Sequence, residues 1–225
     1  MRASPAAAAL ALLLAGTSAQ ATETFELWTE LGVRLAPLPR LRIDVQNLLR
    51  FDFQGRVREL PQVSVDYRVW RPLRVGGGYR FLFYSNGDDP SETGNQVYGQ
   101  AMLDLDRGRF ELGARSRVQY RVVTDSTGAD REPNAYLYWR NRVSGSWAFR
   151  RPLGVQVSVE EFLRLDGGAR HDRVRVEAGL FARWEAWRVD LSYMREFRVG
   201  PDYPYRNVVE VSLRWSPELR RRPSR

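Results

Sequence analysis

The chain contains no cysteine, no lysine and a single histidine among its 225 residues. Without cysteine there are no disulfides, no thiolate metal centres and no lipid-modified N-terminal cysteine, so the fold must hold by burial, hydrogen bonding and ion pairing. The lone His171 excludes any site built on several imidazoles, and it stands between Arg170 and Asp172 in a stretch that reads as a polar loop. A serine–histidine mechanism needs a base within hydrogen-bond reach of its nucleophile, and nothing near His171 in sequence is recognisable as that partner. The reading is therefore no catalytic residue. Long apolar runs are equally scarce. The one present, Ala6–Ala15, follows Arg2 and precedes Ala19-Gln20-Ala21, and it is shorter than the roughly 20 residues a membrane-crossing helix needs. A charged start, an apolar middle and a small-x-small end form a secretory signal peptide over residues 1–21, cleaved near Ala21.

What is abundant is arginine. All 35 basic residues are arginine, set against 27 acidic ones for a net charge of +8, or +7 once Arg2 departs with the signal. A nucleic-acid binder gathers such charge into one patch or stripe. Here arginines recur on almost every segment with acids among them, and the chain is exported, so nucleic acid is excluded as a partner. Arginine forms planar, bidentate pairs with carboxylates that lysine cannot form, which suits a crowded polar interior.

After the signal no segment sustains apolar spacing at three and four residues, whereas period-two alternation appears repeatedly. From Leu41, the positions Leu41, Ile43, Val45, Leu49 and Phe51 oppose Arg42, Asp44, Gln46 and Arg50, with only Asn47 and Leu48 breaking the pattern. From Arg173, the residues Arg173, Arg175, Glu177 and Arg183 oppose an unbroken apolar face of Val174, Val176, Ala178, Leu180, Ala182 and Trp184. Strands are expected at 24–35, 40–53, 60–70, 73–84, 96–105, 109–122, 135–149, 153–164, 172–184, 187–197 and 207–215. A soluble sandwich with one wet face also alternates, but its strands average about five or six residues, while a tilted membrane strand needs roughly nine to eleven. Tight turns at Ala36–Pro39, Arg71-Pro72, Asp106–Gly108, Arg150–Pro152 and Glu185-Ala186 alternate with longer polar loops at Gln54–Glu59, Ser85–Asn95, Val123–Asn134, Leu165–His171 and Arg198–Arg206. That alternation is the connectivity of outer-membrane barrels. Trp70, Trp147, Trp184, Trp187 and Trp215 lie beside the tight turns or the C-terminal end, and Tyr84, Tyr98, Tyr120, Tyr136 and Phe197 beside the long loops, as two aromatic girdles at the lipid–water boundaries would require.

The expected fold is all-β: a signal peptide over 1–21, an antiparallel transmembrane β-barrel of ten to twelve strands over 22–215, and a basic tail over 216–225. Eleven segments sit awkwardly with the even numbers of bacterial barrels, which leaves open whether 24–35 lies outside the closed wall or another segment has been merged.

The start Leu27-Trp28-Thr29-Glu30-Leu31-Gly32, the triplet Gly78-Tyr79-Arg80, and the repeats Arg115-Ser116-Arg117 and Arg140-Asn141-Arg142 together resemble the bacterial outer-membrane barrel family filed as domain of unknown function 2490. The resemblance covers nearly all of the chain after the signal and implies an outer-membrane barrel without an assigned activity. The tail Ser216–Arg225 departs from the terminal aromatic on which many such barrels end and which the barrel-assembly machinery reads.

With the apolar faces turned to lipid, the candidate lumen charges are Glu30, Arg42, Asp44, Arg68, Arg80, Glu111, Arg115, Arg117, Arg140, Arg142, Glu160, Arg173, Arg175, Glu177 and Glu210. Arginine–carboxylate pairs there either fill a plugged, structural barrel or line a narrow channel whose positive field prefers anions. The alternatives are a barrel enzyme acting on lipid, or a surface barrel whose Arg170, Arg198 and Arg206 bind lipopolysaccharide phosphates. Expected partners are outer-membrane lipid, lipopolysaccharide and the assembly machinery. Asp88, Asp89 and Glu92 beside Gly87 match no calcium loop, so neither metal nor cofactor is expected.

Overall fold

A computed structural model describes residues 23–53, 55–86, 89–124, 134–150, 152–199 and 205–217, except the side chains of 86 and 89–91. The signal peptide and most of the basic tail lie outside the described residues. Eleven strands make up the wall: β1 (Thr24–Leu38), β2 (Leu41–Asp52), β3 (Val57–Arg68), β4 (Leu73–Asn86), β5 (Asp89–Arg107), β6 (Phe110–Thr124), β7 (Asn134–Arg150), β8 (Leu153–Arg164), β9 (Arg170–Trp184), β10 (Trp187–Arg198) and β11 (Arg206–Trp215). Each pairs with the next in antiparallel register, and β1 closes the ring on β11. Closure leaves no row of unpaired backbone groups, the condition for a sheet to sit in hydrocarbon.

The closing pair corrects one expectation. An odd number of alternating strands brings the first and last into the same direction, so β1 and β11 pair in parallel, with Thr24 beside Arg206 and Val33 beside Trp215. The N-terminal segment therefore belongs to the wall, and the barrel is mixed rather than wholly antiparallel. Its two chain ends leave on opposite sides: Thr24 at the end carrying the longer loops and Trp215 at the end carrying the tight turns.

Strand limits also differ from the alternation reading. β4 and β5 continue through most of the stretch read as the loop Ser85–Asn95, and Gly87 and Asp88 at its tip lie outside the described residues. β3 begins at Val57, inside the expected Gln54–Glu59 loop. β9 begins at Arg170, which puts His171 in a strand instead of a loop. The turn between β5 and β6 matches its chemistry, with Gly108 at φ 66 in the left-handed region that glycine adopts most readily, whereas the turn between β9 and β10 puts Glu185 there at φ 49.

The outer wall is apolar. Val143, Leu31, Leu112, Leu180 and Val157 are each more than half exposed, at 65%, 59%, 59%, 57% and 54%. Large side chains left this open around a whole barrel make an apolar outer surface of the kind that lipid can cover. Tryptophans ring the tight-turn end on this face, where Trp187 lies 6.2 Å from Trp215 and Trp147 stacks on Phe110 at 6.0 Å. The girdle expected at the other end is only partly present. Tyr120 and Phe197 face outward, but Tyr84, Tyr98 and Tyr136 share the inward parity of their strands and contact the arginines Arg58, Arg117 and Arg164 instead.

Candidate functional site

The inner wall encloses one large cavity of about 1310 Å³, and all fifteen candidate lumen charges line it. Seventeen arginines and eleven carboxylates border this space, an excess of six positive charges. It reaches the tight-turn end at Arg71, Pro72, Asp106 and Glu185.

Many of the charges are matched across neighbouring strands. Glu160 accepts from Arg115 at 2.7 Å and from Arg140 at 2.9 Å, and Glu177 accepts from Arg142 at 2.9 Å. Arg42 bridges Asp44 and Asp66, both at 2.9 Å, while Glu30 takes Arg214 at 3.1 Å. Near the tight-turn mouth Glu111 is paired with Arg183 at 2.5 Å, and Arg68 lines the same end. Arg173 and Arg175 both approach Glu196, at 3.6 and 2.6 Å. Glu210 has no hydrogen-bond or ion-pair partner among the described residues.

Alternation alone hides the next feature, an apolar layer inside the barrel. Trp28, Leu48, Leu60, Leu82, Met194 and Val208 form one buried cluster, each no more than 7% exposed, on the arc running from β10 through β11 and β1 to β4. Across the lumen Phe162, 1% exposed, carries three guanidinium groups around its ring: Arg140 and Arg173 at 4.4 Å and Arg175 at 4.6 Å. Arg50 lies 3.7 Å over Trp28, and Arg175 reaches the same ring at 5.4 Å. Arginine planes stack on aromatic faces favourably where water is excluded, so these rings and cations tie the two arcs together. The signal was present in the sequence as Leu48, which interrupts an otherwise polar face.

Above this layer, toward the long loops, two arms of polar contacts start from Glu26. One runs through Arg58 at 3.8 Å to the ring of Tyr84, which lies 5.6 Å from both Arg58 and Arg121, and Arg121 also bonds the Tyr84 hydroxyl. The other runs through Arg206 at 3.1 Å to Glu196, where Arg173, Arg175 and Arg198 converge. Trp28 donates its indole N–H to Glu26 at 2.7 Å, joining the arms to the apolar layer. Arg198 and Arg206, expected to face lipopolysaccharide, are thus engaged at the lumen mouth, while Arg170 is exposed. In the loop after β8, the side-chain hydrogen bond from Arg164 holds the Asp166 carboxyl below its ordinary range.

His171 has a neighbour that its position in sequence does not show, since its Nδ1 lies 3.0 Å from a Glu161 oxygen on the adjacent strand. Among the described residues no group of three or more histidine, cysteine or acidic side chains is arranged to hold a metal.

The architecture defines a closed up-and-down β-barrel with an apolar outer wall and a charged interior that holds a large cavity. The chain belongs to the family described as protein of unknown function (DUF2490), whose model matches residues 25–203. No curated protein matches it. The translocator domain of autotransporter NalP from Neisseria meningitidis aligns over 71% of this chain and 69% of its own, with 10% identity and a TM-score of 0.46.

Proposed function

We propose that the protein resides in the outer membrane as a blocked barrel: closed toward the long-loop side by its own side chains, and open toward the tight-turn side as a blind, arginine-rich cavity. The observation that carries this reading is the buried apolar layer of Trp28, Leu48, Leu60, Leu82, Met194 and Val208, capped by the Glu26 and Glu196 networks. In a water-filled pore these side chains would be wet. The signal-like N-terminus and the lipid-compatible outer wall support export and membrane insertion, with the tight turns in the periplasm.

An anion-preferring channel is the second reading, favoured by the excess of arginine along the cavity, and it requires the layer to move. Liposomes carrying the full chain test the choice. A blocked barrel leaves them impermeable to small sugars and small anions alike, whereas swelling in isotonic sugar, or anion efflux above that of protein-free vesicles, would favour the channel.

A further inference from the structure

Arg80, Arg117 and Arg121 stand apart from the paired arginines. Among the described residues none of the three has a carboxylate partner. Arg80 donates to the Gln62 side-chain oxygen at 2.9 and 2.5 Å, Arg117 to that of Gln100 at 3.1 and 2.6 Å, and Arg121 to the Tyr84 hydroxyl. A neutral oxygen orients a guanidinium without cancelling its charge.

The amides are themselves held in one direction. Gln62 donates to Gln46 at 3.0 Å, and Gln46 donates to Glu30 at 3.2 Å, so the nearest carboxylate on that chain of bonds is two amides away from Arg80. Gln100 donates to Asp66 at 2.8 Å, which turns its oxygen toward Arg117. The three cations lie on β4 and β6, on either side of β5, with Arg80 and Arg121 both in direct register with Gln96. Arg117 is 5% exposed and lies 3.8 Å over the ring of Tyr98, so its plane is fixed, and the buried Nε of Arg121 has no partner. All three line the cavity, while the partnerless Glu210 stands four strands away from β4 around the wall, on β11.

We infer that Arg80 and Arg117, with Arg121 at the closed end of the cavity, form a binding site for an oxyanion, a phosphate or carboxylate group reaching the lumen from the tight-turn side. Planar guanidinium groups pre-positioned by neutral partners, in a space that excludes much of the solvent, match the two-oxygen edge of such a group. The volume of about 1310 Å³ admits an organic body attached to it. The inference rests on the blind-cavity reading for its direction of access only, since binding and conductance are measured separately.

The test is calorimetric titration of the full chain in detergent with inorganic phosphate and with a sugar phosphate, at ionic strength held constant with chloride. Both are expected to bind saturably and to compete for one site. Arg80→Gln and Arg117→Gln should each weaken binding at least tenfold, and Arg117→Lys should recover only part of it. Arg183→Gln, which removes a cation paired with Glu111 near the tight-turn mouth, should change it less than twofold. Heat-dependent gel mobility confirms that each variant is folded before titration. Absence of saturable binding by the folded wild-type chain would overturn the inference, and so would equal weakening by Arg183→Gln, which would reduce the site to a general cationic field. A conducting barrel that still binds phosphate through Arg80 and Arg117 would sink the blocked-barrel reading and leave this site standing.

Discussion

Glu196 shows how the interior of this barrel trades charge for order. Its carboxylate is 1% exposed and meets Arg175 at 2.6 Å, Arg198 at 3.2 Å, Arg173 at 3.6 Å and Arg206 at 3.7 Å. Removing one partner from a buried ion cluster leaves the others desolvated and unmatched, so Glu196→Gln is expected to cost about 3–5 kcal/mol, measured by urea unfolding from lipid vesicles. The half-exposed Arg164–Asp166 pair provides the contrast, and Arg164→Gln should cost no more than about 1 kcal/mol in the same assay. Gly78 is a second sensitive residue. A Cβ there would overlap the Tyr98 hydroxyl and lie 2.6 Å from the Val63 carbonyl, so Gly78→Ala should destabilise the barrel by about 1–3 kcal/mol and disturb the ring that supports Arg117.

At the level of strands, alternation was the legible part. The apolar face from Val174 to Trp184 is unbroken, and β9 carries that face outward, as the proposed lipid-facing wall requires. Strand ends were harder to read. The stretch SNGDDPSETGN has turn-forming composition, yet β4 and β5 take up much of it, because composition marks that a hairpin turns without marking how far its strands run first. A closed barrel was legible, but which strands close it was not, since the pairing of β1 with β11 joins residues more than 180 positions apart and no local pattern encodes it. The inward tyrosines escaped for a related reason: an aromatic next to a loop suits a girdle or a lumen equally, and only parity within the true strand separates them. The outward face makes its own prediction. Val143, 65% exposed near the middle of β7, should tolerate arginine badly, with Val143→Arg costing about 2–4 kcal/mol in refolding into bilayers. A cost near zero would mean that this face is wet.

For the whole molecule, parallel closure and blockage of the lumen have separate consequences. With eleven strands the chain enters the wall at the long-loop end and leaves it at the tight-turn end, so epitopes placed just before Thr24 and just after Ser216 should be reached by antibody from opposite faces of the membrane. Labelling of both on intact cells would contradict the odd strand count. The blocked lumen is tested most directly by current recordings across planar bilayers holding single copies of the full chain. The wild-type protein is expected to give no discrete conductance steps at any salt concentration, and the pair Trp28→Ala with Phe162→Ala, which removes the two rings that tie the arcs of the lumen together through Arg175, should open steps that prefer anions. Reproducible steps from the wild-type protein, unchanged by that pair of substitutions, would contradict the account.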